Sequence, residues 1–245
     1  MKGKVAISIV VPAYNEEQLI HRCLTTLTNQ DFKLPYEIIV VNNNSIDKTE
    51  AIAHSFGVTV ISETMQSVVA ARQRGLIAAH GDIVVGADAD CLYPPDWLQT
   101  IYAIFANPKV VACGGPAVAE KQPYWAFLIY KWGFALNYLL YRLTGYVFYL
   151  GGFNLAFRRE LFLKLGGYRT YLDFGGDEWD VIARLRKVGK IVYEPRTSMQ
   201  ISTRRYRVGF LRWFFVHNLY YYFINYTITQ ILKRPLIHAP PVRNI

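Results

Sequence analysis

The stretch Asp82-Ile-Val-Val-Gly-Ala-Asp-Ala-Asp-Cys-Leu-Tyr-Pro-Pro-Asp96 joins a short apolar run to a cluster of carboxylates. The β-branched run at 83–85 predicts a buried strand, and the two prolines further on predict the start of a helix. Asp88 and Asp90 lie between these two elements. On an extended backbone, side chains two positions apart point the same way, so the two carboxylates should lie side by side.

Two carboxylates this close repel each other, and a divalent cation relieves the repulsion. Hard ions such as Mg²⁺ and Mn²⁺ take carboxylate oxygens and share their remaining positions with phosphates. In open α/β sheets, ligands bind at the carboxyl ends of the strands, which is where Asp88 and Asp90 are expected. The stretch therefore predicts a metal–diphosphate site. A solvated turn that caps a helix is the alternative for an isolated Asp-x-Asp.

Upstream of this stretch, apolar runs alternate with helical patterns. Strands are expected at 5–11, 37–41, 58–61 and 83–85, and helices at 15–30, 48–56 and 67–79. Asn15 is expected to cap the first helix, with acids in its first turn. Continuously apolar strands joined through helices by short polar turns predict an α/β fold, with a mostly parallel sheet and helices on both faces.

The polar turns follow the predicted strands, so Tyr14, the turn at 42–47 and the acids at 88–90 should gather at one edge of the sheet. An aromatic ring, amides, carboxylates and a metal pair suit a nucleoside diphosphate. The chain has no Gly-x-Gly-x-x-Gly after its first strand and no Walker loop. Standard dinucleotide and P-loop sites are therefore excluded, and the phosphates would be held by metal and arginines.

The chain resembles family 2 glycosyltransferases of the GT-A fold in four stretches, which occur in the same order and spacing. They are Ser8-Ile-Val-Val-Pro-Ala-Tyr-Asn-Glu-Glu17, Ile38-Ile-Val-Val-Asn-Asn-Asn-Ser-Ile-Asp47, Ala71-Arg-Gln-Arg-Gly75 and Asp88-Ala-Asp90. The resemblance implies a GT-A domain, Rossmann-like, over 1–207, with a nucleotide-binding half at 1–115 and an acceptor half at 116–207. An aromatic and basic helical segment that packs or contacts a membrane would follow at 208–245.

The resemblance also implies roles at the nucleotide end. Tyr14 would stack on the base, Glu16 would lie near the nucleoside, and Asp90 would bind Mg²⁺ or Mn²⁺ with Asp88 beside it, near the ribose. The implied nucleotide-binding set is Pro12, Tyr14, Glu16, Asn42, Asn43, Arg72 and Asp88, with Arg72 bracing the nucleotide or the acidic cluster. The family usually has acids where this chain has its two asparagines, but an amide can still hydrogen-bond a base edge.

A second acidic cluster, Gly175-Gly-Asp-Glu-Trp-Asp180, precedes a predicted helix. Acids at a helix N-terminus can serve as caps, or one of them can take a proton from an acceptor hydroxyl. The family carries Glu-Asp-x-Asp here, which implies that Glu178 is the base and Asp177 its neighbour; the exchange of Asp and Glu leaves both as candidates. The implied donor and acceptor pocket consists of Gly151, Gly152, Asn154, Asp180, Arg204 and Arg205.

Aromatic residues crowd the stretch 124–149, and no acid occurs between Lys121 and Arg159. Lys131 and Arg142 lie eleven positions apart, about three helical turns, so they share a helix face. A core helix and a helix lying in a membrane interface both fit this pattern. Twenty residues at 213–232 also lack a full charge, but their polar side chains favour an interfacial or packed helix over a spanning one.

Composition narrows the class of protein. Hydrophobic residues make up 52% of 245 residues, which one α/β domain can hold. The net charge is +9 and no acid follows Glu194, a distribution that suits anionic lipid, a phosphorylated substrate or nucleic acid. Three cysteines without Cys-x-x-Cys spacing argue against a zinc site or disulfides and favour a cytosolic compartment. No secretory signal is recognisable.

Together with these observations, the resemblance implies an inverting glycosyltransferase that moves a sugar from a UDP- or GDP-linked donor to a hydroxyl of a lipid-linked or cell-envelope glycan. It would act in the cytoplasm at the inner face of the membrane, with peripheral membrane contact and without nucleic acid. The acceptor oxygen would attack the anomeric carbon opposite the diphosphate, whose charge the metal stabilises. The alternatives are a metal-dependent nucleotidyltransferase and an inactive membrane- or nucleic-acid-binding module.

Overall fold

The computed structural model describes residues 4–119, 123–172, 176–202, 204, 209–211, 215–216, 220, 224 and 226–233. The first half alternates strands and helices as expected: β1 (Ile7–Ala13), α1 (Ile20–Thr28), β2 (Tyr36–Asn42), α2 (Thr49–Ser55), β3 (Thr59–Ser62), α3 (Val68–Ala78), β4 (Ile83–Gly86) and α4 (Trp97–Ile104). The second half contains β5 (Val110–Gly114), β6 (Ala117–Ala119), α5 (Tyr124–Thr144), β7 (Leu155–Arg158), α6 (Arg159–Lys164), α7 (Asp177–Arg186), β8 (Lys190–Tyr193), β9 (Met199–Ile201) and α8 (Tyr226–Leu232).

Seven of these strands form the central sheet, in the order β3-β2-β1-β4-β7-β5-β8. The pairs among β1, β2, β3 and β4 are parallel, as is the pair of β5 and β8. β7 runs antiparallel between β4 and β5. The predicted parallel sheet is therefore confirmed, with one reversed strand whose place the sequence pattern did not predict. A separate two-stranded sheet pairs β6 with β9.

Helices cover both faces of the sheet, because successive side chains of a buried strand point to opposite sides. Ile9 of β1 packs with Leu24 of α1 and Trp97 of α4 on one face. Its neighbour Val10 packs on the other face, in the cluster that also holds Leu76 of α3 and residues of α6 and α7. The carboxyl ends of β1, β2 and β4 consequently open onto one edge, where the polar turns lie.

The expectation that Asn15 caps the first helix is wrong. The helix α1 begins only at Ile20, and Asn15 has a left-handed backbone, with φ of 50°. Its Oδ1 accepts a hydrogen bond from the backbone N–H of Ile46, 2.9 Å away. The side chain therefore ties the turn after β1 to the turn after β2, and one further turn separates it from the helix.

The helix α5 is not the core helix that was one of its two expected forms. Its buried residues are Ala126 and Asn137, whereas Trp132 and Leu143 are exposed on the surface. Of the second uncharged run at 213–232, the described residues include most of α8, and the others lie outside the described part of the chain. Within the described ranges, no helix combines the length and apolar character needed to cross a membrane.

Candidate active site

Two acids and a thiol meet directly after β4. Ligand atoms of Asp88, Asp90 and Cys91 all lie within 4.8 Å of one another. Burial raises the pKa of the Cys91 thiol well above its usual value, so the thiol stays protonated. The donors that remain are carboxylate oxygens on half-buried side chains, which are the ligands that Mg²⁺ and Mn²⁺ prefer. The residues present therefore fit the predicted cation.

An arginine from far along the chain reaches one of these two carboxylates and a third acid, Glu16. The Nη1 and Nη2 atoms of Arg204 donate to the two carboxylate oxygens of Glu16 at 3.1 and 3.0 Å. Nη2 also donates to Oδ2 of Asp90 at 3.1 Å. Glu16 is almost fully buried, and its backbone N–H donates to Oγ1 of Thr49. A side-chain cation thus neutralises the acids at the position where a bound cation is expected.

Arg72 of α3 connects the metal end to the second acidic cluster. Its Nη1 atom lies 2.7 Å from Asp177 and 3.7 Å from Glu178, and its Nη2 atom lies 3.5 Å from Asp88. The guanidinium is almost completely buried. A Cβ atom on Gly152 would lie 2.4 Å from the guanidinium carbon, so glycine at this position leaves room for the arginine. Arg72 therefore contacts acids of both clusters.

The carboxyl group of Glu178 has the properties of a proton acceptor near neutral pH. Burial, followed by the charge of Asp177, raises its pKa to about 7, although Arg72 opposes the shift. Its Oε1 atom accepts a hydrogen bond from the backbone N–H of Gly152 at 3.3 Å. Asp177 makes the closest ion pair with Arg72. Asp177 is therefore the acid that Arg72 engages most closely, and Glu178 is the acid whose pKa burial raises.

Two residues of the predicted donor and acceptor pocket are held inside the protein. Asn154 is 1% exposed; its Oδ1 accepts from the indole N–H of Trp97 at 2.9 Å, and its Nδ2 donates to the backbone carbonyl of Thr197 at 2.8 Å. Asp180 makes ion pairs with Arg169 at 3.0 Å and Arg184 at 2.6 Å. These side chains join elements of the fold, and the expectation that they also line the donor and acceptor pocket stays a prediction.

The sequence did not predict that Arg169 and Arg184 are the ion-pair partners of Asp180. The spacing of four positions between Asp180 and Arg184 on α7 is the signal that could have identified one of them, because such pairs lie side by side on a helix. Arg169 offers no such signal, since it lies before the start of α7 at Asp177 and sequence spacing does not place it beside Asp180.

The amides of Asn42 and Asn43 are also engaged within the protein. The Nδ2 atom of Asn42 donates to Oε2 of Glu50 at 2.7 Å. The Nδ2 atom of Asn43 donates to two backbone carbonyls, and its Oδ1 accepts from the N–H of Ser67 at 3.0 Å. Ser67 caps α3, so Asn43 fixes the start of the helix that carries Arg72.

The other predicted residues occupy the same edge. Pro12 lies within β1 opposite Val41, and Tyr14 follows the strand as a half-buried side chain. Gly151 precedes Gly152, the glycine that contacts Glu178. Arg205 lies outside the described residues.

Comparison with known proteins gives a family and relatives. The family model described as glycosyl transferase family 2 matches residues 8–166. The chain is 26% identical over 221 residues to the glucosyl-dolichyl phosphate glucuronosyltransferase of Haloferax volcanii. The matched region covers 83% of the chain and 68% of that protein. It is 30% identical over 134 residues to the dolichol-phosphate mannosyltransferase of Pyrococcus furiosus, which covers 51% of the chain and 38% of that protein.

A solved structure supports the fold. The mannosyltransferase PcManGT from Pyrobaculum calidifontis, in complex with GDP-Man and Mn²⁺, superposes with a TM-score of 0.62 at 25% identity. The match covers 81% of the chain and 57% of that protein. This likeness confirms the α/β fold of GT-A type. The family match ends before α7, so it includes the acids at 88 and 90 but not Glu178.

Proposed function

Because the chain belongs to glycosyl transferase family 2, we propose that it transfers a sugar from a nucleotide-diphosphate sugar to an acceptor hydroxyl with inversion. The observation that carries the proposal is the contact of one buried side chain, Arg72, with both acidic clusters. A donor held at Asp88 and an acceptor held at Glu178 would then meet across a single guanidinium. A nucleotidyltransferase has no need of the second cluster.

On the donor side, Asp90 and Asp88 would hold Mg²⁺ or Mn²⁺. When bound, such an ion supplies Lewis-acid stabilisation of the charge that develops on the diphosphate. Glu16, Tyr14 and Pro12 lie at the end of the neighbouring strand β1, where the nucleoside would bind. The related PcManGT binds GDP-Man in its solved structure, which supports a nucleotide-diphosphate sugar as the donor, here proposed to be UDP- or GDP-linked.

On the acceptor side, Glu178 is the proposed general base. Its carboxylate would accept the proton of the acceptor hydroxyl, and the oxygen would form a bond to the anomeric carbon. The bond between that carbon and the diphosphate breaks, and its electron pair leaves with the diphosphate. A pKa of about 7 suits this role, because the group is partly unprotonated near neutral pH and still basic enough to take a proton.

Arg204 would change partners during the reaction. In the structure it binds Glu16 and Asp90, so a cation that occupies the acids would displace it. The freed guanidinium would then lie next to the diphosphate, which it can bind through two parallel hydrogen bonds. Arg204 would in this way stabilise the leaving group.

The acceptor is proposed to be a lipid-linked glycan or lipid phosphate. Two relatives carry dolichyl or dolichol phosphate in their names, and the chain has a net charge of +9 with its surplus near the C-terminal end. Both features support peripheral contact with the inner face of a membrane. The chain spans 68% of the first of these relatives and 38% of the second, so this acceptor class is a proposal for the chain.

A binding screen followed by turnover tests the proposal. UDP- and GDP-sugars with Mn²⁺ should raise the melting temperature of the full chain, because a ligand that binds the folded state stabilises it. The best donor should then be hydrolysed or transferred, and Asp90→Asn should abolish both effects. Asp31→Asn, an exposed acid elsewhere, is the matched control. A chain that binds no sugar nucleotide under any of these conditions would contradict the proposal.

A further inference from the structure

The helix α5 carries apolar side chains on two sides. Its inner side packs on the core through residues such as Phe134 and Tyr138. Its outer side bears five exposed apolar residues, here called the outer stripe: Ile129 (38% exposed), Trp132 (65%), Leu136 (56%), Leu139 (53%) and Leu143 (73%). At about 100° per residue, these five side chains fall in an arc of about 80°. They therefore form one continuous apolar strip along more than three turns.

Apolar surface continues beyond the ends of the outer stripe. Gly145 ends the helix with a left-handed backbone, and the exposed Tyr146 and Phe148 follow it. Near the first turn of the helix, the ring of Phe210 contacts Trp125 at 5.4 Å between centroids, and Phe210 and Leu211 are exposed. An apolar strip of this extent on a folded protein marks a contact surface for a partner.

Charge decides which partner fits. The sequence has no acid from Lys121 to Arg159, and the cations Lys131 and Arg142 are exposed along one border of the stripe. Lys131 lies over the ring of Phe127, and Arg142 donates to the hydroxyl of Tyr138. A second copy that packed its own stripe here would add cations and no acids. Apolar side chains bordered by cations, on a stretch of sequence without an acid, match an anionic lipid surface.

We propose that the outer stripe of α5 docks this protein on an anionic lipid bilayer, with the helix lying in the plane of the headgroups. Trp132 and the three leucines enter the boundary between headgroups and acyl chains, while Lys131 and Arg142 contact lipid phosphates.

This docking surface deepens the proposed function, on which its biological role rests. On the inner side of the helix, Nδ2 of Asn137 donates to the carbonyl of Tyr149 at 2.8 Å, and its Oδ1 accepts from the N–H of Phe148 at 3.1 Å. Three residues after Tyr149, Gly152 contacts the proposed base. The buried Asn137 therefore fixes the docked helix to the segment that enters the acceptor end of the site, which brings a lipid-linked acceptor to the base.

Vesicle co-sedimentation of the full chain tests the docking surface. Vesicles of phosphatidylcholine with about one third phosphatidylglycerol should retain the wild-type protein, and added salt should weaken the binding. The double variant Trp132→Gln/Leu139→Gln should bind more than tenfold more weakly. Ile77→Gln, which replaces an exposed apolar residue of α3, is the matched control and should bind like the wild type.

A second variant keeps the test independent of the apolar substitutions. Lys131→Gln/Arg142→Gln should lose binding to the anionic vesicles while its melting temperature stays close to that of the wild type. The docking surface would be overturned if the wild-type protein did not bind anionic vesicles. It would also be overturned if the stripe variants bound them as well as the control does. A dimer that dissociates on Trp132→Gln/Leu139→Gln would overturn it too and would assign the stripe to a second copy.

The two proposals fail separately. The stripe variants should keep the melting shift with a sugar nucleotide and Mn²⁺, because none of the substituted residues contacts the acidic clusters. Vesicle binding without any nucleotide response leaves the docking surface standing and contradicts the proposed function. A melting shift with nucleotide but no vesicle binding contradicts the docking surface and leaves the proposed function standing.

Discussion

The Nη1 atom of Arg72 lies 2.7 Å from the Oδ2 atom of Asp177, and this ion pair joins two residues 105 positions apart. Both side chains are more than nine-tenths buried. Each of the two charges depends on the other, because a buried charge without a partner is strongly unfavourable. Arg72 therefore holds the two acidic clusters in one arrangement before any substrate binds.

Arg72→Met should lower the free energy of unfolding and abolish sugar transfer. The substitution leaves three carboxylates without their shared cation, and breaking a buried pair from one side costs about 3–5 kcal/mol. Urea unfolding measures the change in free energy. Arg74→Met, an exposed arginine two positions along the same helix, is the control and should change stability by less than about 0.5 kcal/mol. If the two variants were equally stable, the prediction that Arg72 stabilises the two acidic clusters would be wrong.

The reaction rate should depend on the protonation of Glu178. Because its pKa is raised to about 7, kcat/KM should rise about tenfold per pH unit below 7 and level off above it. Glu178→Gln should lower the rate by at least about 100-fold, the usual contribution of a general base. Glu160→Gln, an exposed acid on α6, should leave the profile unchanged. A flat profile from pH 5 to 8 would assign the base elsewhere.

The same carboxyl group should make stability fall as the pH rises. Its pKa is higher in the folded protein than the ordinary value of 4.5, so between about 4.5 and 7 the folded state binds more protons than the unfolded state. Stability then decreases with increasing pH across this window. Glu178→Gln removes that loss, so the melting temperature of the variant relative to that of the wild type should be higher at pH 8 than at pH 5. An unchanged difference at the two pH values would contradict the raised pKa.

The sheet was predictable because buried strands carry a strong local signal. Four apolar runs gave β1 to β4, and the polar turns between them gave the edge where Asp88, Asp90 and Tyr14 lie. The reversed direction of β7 (Leu155–Arg158) was not predictable, since its first three residues are as apolar as those of a parallel strand would be. Direction depends on the path of the connecting segment, which local periodicity does not record.

The roles of Asn154 and Asp180 were hidden for a similar reason. Their positions in motifs suggested ligand contacts, but their partners Trp97, Thr197 and Arg169 are distant in sequence or separated by a turn. Only the folded chain brings those groups together. The motifs therefore predicted where these two residues lie in the fold, but not which groups their side chains contact.

Arg204 should compete with metal ions for the acids that it binds. Arg204→Gln removes the cation that contacts Asp90 and Glu16, so Mn²⁺ without nucleotide should bind several-fold more tightly, because a like charge no longer competes with it for the same carboxylates. With Mn²⁺ present, the sugar nucleotide should bind more weakly, since an arginine for the diphosphate is lost. Electron paramagnetic resonance of free Mn²⁺ and calorimetry measure the two affinities.

The control for this experiment is Arg196→Gln, an exposed arginine that pairs with Glu194, and it should change neither affinity. The prediction has two opposite signs, so a general loss of folding cannot imitate it. Weaker Mn²⁺ binding in Arg204→Gln would mean that the arginine supports the metal site and does not compete for it.

Gly152 should be intolerant of even one added carbon. A Cβ atom there would lie 2.4–2.6 Å from three atoms of the Arg72 guanidinium, which is itself fixed by Asp177. Because the arginine is held on its far side, Gly152→Ala must displace either the guanidinium or the backbone that contacts Glu178, and both changes disturb the acids. We expect a destabilisation of about 1–3 kcal/mol, typical of overpacking, and at least a tenfold loss of kcat/KM.

Gly133 of α5 provides the matched control, since an added Cβ atom there meets nothing within 4 Å. Gly133→Ala should stabilise the protein by up to about 1 kcal/mol, because alanine is the better helix residue, and it should leave kcat/KM unchanged. Thermal unfolding and steady-state rates distinguish the two variants. If Gly152→Ala kept wild-type activity, the guanidinium could move without loss, and its contacts with Asp177 and Glu178 would not be needed for transfer.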